Sequence, residues 1–154
     1  MEYNALLRKL PIGIQTFEKL RKENYLYVDK TELIWKMAFA SNPYFLSRPR
    51  RFGTSLLLST FEAYFEGKKE LFEGLAIEKM ETEWKKYPVL HLDLNAKKYE
   101  TPADLIAMLN QTLEKWEIVY GNEKKDRSPE ERFAYVIERA YEQAGCGVVV
   151  LVDE

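Results

Sequence analysis

Read for its alternation of apolar and polar positions, the chain resolves into short strand-like runs and amphipathic helices. Thr16 followed by FEKLRKE and Asn24 predicts a short capped helix that ends at a residue tolerant of positive φ. The run YLYV, residues 25–28, predicts a strand. Asp29 is then placed to cap a helix over KTELIWKMAFA, in which Leu33, Ile34, Met37 and Ala38 recur at helical spacing until Asn42-Pro43 stops it. Residues 44–46, apolar and largely aromatic, predict a buried strand that leads into a basic loop. Gly53 opens a helix carrying Leu57, Leu58, Phe61 and Tyr64, and Gly67 ends it.

The stretch KKELFEGLAIEKMETEWKKY is mixed and reads as half helical, before Pro88 introduces VLHLDL, whose two faces alternate as in a strand. Thr101-Pro102-Ala103-Asp104 starts a helix that reaches about Tyr120, and GNEKKDR is a polar loop. Ser128-Pro129-Glu130-Glu131 is a capping box opening a helix with one apolar stripe, Phe133, Val136, Ile137, Ala140 and Tyr141. The closing VVVLV is a β-branched run of the kind found in a central parallel strand buried on both faces. Strands alternating with helices predict an α/β sandwich with a mainly parallel sheet, whose ligands sit at the carboxyl ends of the strands.

A length of 154 residues suits about one domain, and a net charge of −2 gives no general attraction to nucleic acid or to an anionic membrane. Arg48, Arg50 and Arg51 form the clearest local basic patch. The single Cys146 excludes an intramolecular disulfide, and the lone His91 has no partner at zinc-ligand spacing. No apolar run is long enough to cross a bilayer, and MEYNALLRKL lacks the features of a signal peptide, so the expected location is cytoplasmic.

The basic loop changes this picture. A phosphate-binding loop follows GxxxxGK(S/T) because backbone N–H groups curl around phosphate oxygens, a lysine reaches the outer phosphates and a hydroxyl meets Mg²⁺. The corresponding window is Arg48-Pro49-Arg50-Arg51-Phe52-Gly53-Thr54-Ser55. Gly53 and Ser55 match, Arg48 replaces the first glycine and Thr54 replaces the lysine. At the other end, an apolar run followed by Asp153-Glu154 is how a metal-holding aspartate and a water-activating glutamate are delivered to such a loop. A basic turn before a helix, and a buried strand ending in charge, are the plainer readings of the same residues.

Taken with "LPIGIQTFEKL", "YLYVDKTELI", "YFLSRPRRFG", "SLLLSTFEAYFEGKKELFEGLAI", "YPVLHLDL" and "VVVLVDE", these motifs resemble the bacterial and archaeal AAA-ATPase-like family, whose members often carry a PD-(D/E)XK nuclease-like domain after the ATPase part. The family pattern reads RPRRFGKS, so Thr54 is a departure, and the usual strand end continues as DEYD. The resemblance implies a three-layer P-loop NTPase-like sandwich stopping after the Asp-Glu strand, with residues 1–43 as N-terminal helices and a short strand and 44–154 as the P-loop core. It further implies that Arg48, Arg50, Arg51, Phe52, Gly53, Thr54 and Ser55 wrap the phosphates of ATP. Ser55 would ligate Mg²⁺, Asp153 would hold it through water, and Glu154 would polarise the attacking water. Turnover should be impaired by Thr54 and by the lack of the later sensor strand, arginine finger and lid.

Other residues read as structural. His91 is a half-buried strand histidine, Asp93 either faces the site or caps a turn, with the structural role favoured, and Cys146 has no neighbour in sequence that lowers its pKa. DLNAK lacks the acidic residue a nuclease core places before x-Lys, and Trp35, Trp84 and Trp116 are dispersed over predicted helices as packing residues. Two functions therefore compete. One is an ATP-binding segment with weak or absent hydrolysis. The other is a non-catalytic module that keeps the scaffold and uses an exposed sheet edge for self-association or a partner.

Overall fold

The computed structural model describes residues 7–40, 42–49, 51–95 and 97–154. In chain order its elements are α1 (Phe17–Lys22), α2 (Thr31–Phe39), α3 (Thr54–Phe65), a 3-10 turn (Lys69–Phe72), α4 (Ala76–Met80), β1 (Val89–Asp93), α5 (Pro102–Tyr120), α6 (Pro129–Ala144) and β2 (Val149–Asp153). They form two compact units, Met1–Lys86 and Tyr87–Glu154. The division falls inside the 44–154 segment that the sequence grouped as one core.

The first unit is built on aromatic packing. Phe17, Leu20, Ile34, Phe61, Phe72 and Ile77 are buried, with the Phe17 and Phe72 rings 4.8 Å apart and the Phe72 and Trp84 rings 5.3 Å apart. Polar groups lock these short helices together. The Phe17 N–H at the start of α1 donates to Ser59 Oγ of α3 at 2.9 Å, so one helix caps another. Arg21 of α1 donates to the carbonyls of Leu71 and Glu73 at 2.8 and 2.6 Å.

Asp29 does more than the local cap its position suggests. Its Oδ1 accepts from the Thr31 N–H at 2.9 Å and the Thr31 hydroxyl at 2.6 Å, while Oδ2 accepts from Ala76 N–H at 2.7 Å. Buried Thr31 in turn accepts from Ile77 N–H at 3.1 Å. The start of α2 thus caps the start of α4, a contact between residues far apart in sequence. Burial opposes ionisation of Asp29, but the hydrogen bonds from Thr31 and Ala76 outweigh it and hold its pKa below the ordinary value.

Two expected strands are absent from the ladder. Residues 25–28 and 44–46 run extended or irregular, and the sole ladder among the described residues joins β1 to β2. A strand exists only by pairing. Leu26 N–H does reach Lys9 O at 2.8 Å, but Val28 is exposed and Phe45 is 81% exposed, so neither segment lies in a sheet interior. Asn24 does adopt positive φ, 56°, at the end of α1. Trp84 lies beyond α4 with φ 47° rather than on a helix, and its carbonyl packs where a Cβ on Gly67 would come within 2.8 Å.

In the second unit β1 and β2 are parallel neighbours in the register Val89↔Val149 through Asp93↔Asp153, with α5 and α6 between them in sequence. Leu151 is buried, whereas Val150 and Val152 are 40% and 47% exposed. β2 is therefore covered on one face, not on both as its composition predicted. α5 starts at a full capping box, Thr101 with Asp104, and Ser128 accepts from Glu131 N–H at the start of α6. The buried line of α6 is Arg132, Val136 and Ala140, and Tyr141 is exposed. Arg132 takes the core position because its guanidinium pairs with buried Glu117 of α5 and donates to Asn110 Oδ1 at 2.8 Å.

Two outcomes follow for unfolding experiments on the full chain. Asp29→Ala removes the caps on α2 and α4 and should lower stability by about 1 to 2 kcal/mol at neutral pH. Because the folded pKa is depressed, this contribution is present above the unfolded pKa of about 3.9 and is lost as pH falls through the folded value, so the two proteins should converge in acid. Arg132→Met should lower stability by about 3 to 5 kcal/mol by stranding Glu117, with much of the loss recovered when Glu117→Leu is added. Denaturant titrations of the single and double variants read both effects.

Candidate functional site

The backbone enters α3 through two left-handed residues, Arg51 at φ 68° and Gly53 at φ 80°, ψ 19°. A Cβ on Gly53 would meet nothing within 4 Å, so glycine is needed there for its φ and not for space. Gly53 accepts the first bond of the helix, from Leu57 N–H at 3.0 Å, and contributes no side-chain cap. The first turn also carries no acidic residue. A twelve-residue helix opening this way presents main-chain N–H groups and the positive end of its dipole without a competing carboxylate of its own.

Around this opening, Thr54 and Ser55 are half-buried, while Arg48, Arg51 and Phe52 are exposed. Arg48 Nη1 donates back across the turn to the Phe52 carbonyl at 3.3 Å. Arg50, a predicted phosphate-loop residue, lies outside the described residues. Loop and helix start together have the elements of an anion cradle: N–H groups, a dipole and guanidinium charge. Thr54, where a lysine would reach farther, supplies only a hydroxyl.

In the second unit, the carboxyl ends of both strands finish in aspartate. Asp93 and Asp153 are register partners, and Asp153 is 4% exposed. Asn95 Nδ2 donates to Asp153 Oδ1 at 3.0 Å, and Leu94 N–H donates to the Asp153 carbonyl at 2.8 Å. Asp93 Oδ1 accepts from Asn95 N–H at 2.9 Å, the turn-capping role expected of it. Asn95 is the residue the sequence reading missed; a lone asparagine after a strand carries no signal until the register puts it beside Asp153. Glu154 is exposed at the strand end.

No group of three or more His, Cys, Asp or Glu capable of holding a metal is gathered among the described residues. Mg²⁺ does not require one, since it is commonly held by one or two carboxylates together with waters and substrate phosphates. A buried aspartate at a strand end has the chemistry for that share. His91 pairs in register with Leu151, and Cys146 is buried. Of the predicted site residues, Arg48, Arg51, Phe52, Gly53, Thr54 and Ser55 lie on one loop and helix start in the first unit, and Asp153 and Glu154 end the second.

A profile of the family described as "Predicted AAA-ATPase" matches residues 11–154. An "Uncharacterized protein in vnfD 5'region" of Azotobacter chroococcum mcd 1 is 39% identical over 148 residues, which are 96% of this chain and 29% of that protein. The chain thus spans less than a third of the length of this relative. No solved structure matches it.

The left-handed φ of Arg51 is a local strain that glycine would not bear. Arg51→Gly should leave stability unchanged or raise it by up to about 1 kcal/mol, whereas Arg51→Val should lower it by about 1 kcal/mol or more, because a β-branched residue tolerates this region poorly. Urea unfolding midpoints of the two variants decide the sign.

Proposed function

This chain belongs to the predicted AAA-ATPase family, and on that premise we propose that it is an ATP-binding segment whose turnover is weak or absent. The observation that carries the reading is the entry into α3: a positive-φ glycine, a helix start without a side-chain cap or first-turn acid, and flanking arginines, all on the loop where the family pattern places its phosphate site. On this reading Arg50, Arg51, Phe52, Gly53, Thr54 and Ser55 would surround the phosphates, with Arg48 closing the turn behind them, and Ser55 would offer its hydroxyl to Mg²⁺. By the family resemblance Asp153, whose Oδ1 accepts from Asn95, would be the residue that holds the metal, and Glu154 the one that activates water.

Thr54 separates binding from chemistry. Amides and arginines still attract phosphate, but the charge that a lysine places on the outer phosphates is missing. A charged hydrogen bond contributes roughly 1.5 to 3 kcal/mol, or about ten- to a hundredfold in affinity. Hydrolysis loses more, since the same charge stabilises the transferring phosphoryl group.

The exposed Val150 and Val152 favour a second reading, in which the β2 face or edge serves self-association or a partner and nucleotide chemistry is vestigial. One variant distinguishes the two. Thr54→Lys should tighten binding of a non-hydrolysable ATP analogue with Mg²⁺ by about ten- to a hundredfold while phosphate release stays close to background. Unchanged affinity by calorimetry would refute the phosphate-loop reading; multiple-turnover hydrolysis would refute the assignment of weak chemistry.

A further inference from the structure

We propose that Arg48 is a positioning residue that locks the Phe52–Gly53 peptide with its N–H turned into the phosphate cradle; this rests on the nucleotide-binding reading above. Arg48 Nη1 donates to the Phe52 carbonyl at 3.3 Å, closing the turn with a side chain at the position where the loop pattern has its first glycine. No described peptide is cis, so the Phe52 C=O and Gly53 N–H point in opposite directions. Holding the carbonyl on the Arg48 side therefore directs the N–H to the other.

The peptide needs such a lock because of the residue that follows it. Rotating the 52–53 peptide by half a turn changes ψ of Phe52 and φ of Gly53 together. Glycine accepts either sign of φ about equally, and Gly53 has open space around its α-carbon. Nothing in the glycine itself prefers the observed +80°. In the flipped form a carbonyl oxygen would replace an N–H in the cradle and repel a phosphate. The Arg48 bond, which exists only in the observed orientation, supplies the bias. Arg48 thus acts through a peptide rather than by touching the ligand.

The test uses the full chain carrying Thr54→Lys, so that affinity for the ATP analogue is measurable, with and without Arg48→Ala. Without nucleotide, the amide–α-proton couplings of Gly53 should report one positive-φ conformer when Arg48 is present and a mixture when it is alanine, at unchanged circular dichroism. Affinity should fall by about two- to tenfold, and by the same factor at low and high potassium chloride. A Gly53 that stays in one positive-φ state in Arg48→Ala overturns the inference. So does a loss that shrinks with salt, which would mark a direct charge contact. If neither protein binds the analogue, the nucleotide reading fails and the role of Arg48 in it falls too; that outcome is told apart because the Gly53 couplings are read without ligand.

Discussion

The left-handed turn at Gly53 is the constraint on which the entry into α3 depends. A chain entering a helix through φ 80° turns sharply instead of running on from a straight lead-in. Gly53 has no side chain to cap the first amides, and no acid of the first turn competes for them. Arg51, strained at φ 68°, shows that the loop keeps its shape even where the residue type opposes it. Thr54 follows this turn with a hydroxyl and no charge, which is why the proposed function separates binding from turnover.

Helix α3 can hold that turn because its far end is part of a core. Phe61 and Tyr64 are buried, Tyr64 meets Phe72 and Trp84, and Ser59 caps α1. The other helices of the first unit, α1, α2 and α4, are short and would be marginal alone. Asp29 and Thr31 link α2 to α4, and Arg21 links α1 to the 3-10 turn, so tertiary hydrogen bonds replace intrinsic helix stability. In the second unit the same logic appears as one buried ion pair, Arg132 with Glu117, and one buried strand-end carboxylate, Asp153, held by Asn95.

Features set by local chemistry were legible in the sequence. The helix starts at Thr101 and Ser128, the extents of α5 and α6, the positive φ at Asn24 and the entry to α3 follow from residues within a few positions of one another, although the full capping box forms at Thr101 and the one expected at Ser128 forms only its Glu131 N–H bond. Features that depend on distant partners were not. An apolar run such as 25–28 or 44–46 looks the same whether or not a ladder partner exists, and VVVLV cannot reveal that one of its faces stays open. Buried Arg132 was not named from the sequence, because its partner, Glu117, lies on another helix. Likewise Asn95 acquires meaning only through the β1–β2 register. The loop residues of the candidate site were found from their own pattern; the groups that hold them were not.

On the proposed function, the start of α3 receives phosphate. Backbone amide chemical shifts followed during titration of the full chain with a non-hydrolysable ATP analogue and Mg²⁺ address it residue by residue. Saturable, concerted shifts of the Gly53, Thr54, Ser55 and Leu56 amides are expected, reproduced in part by inorganic triphosphate. Absence of shifts at those four amides, or shifts confined to other parts of the chain, would contradict it.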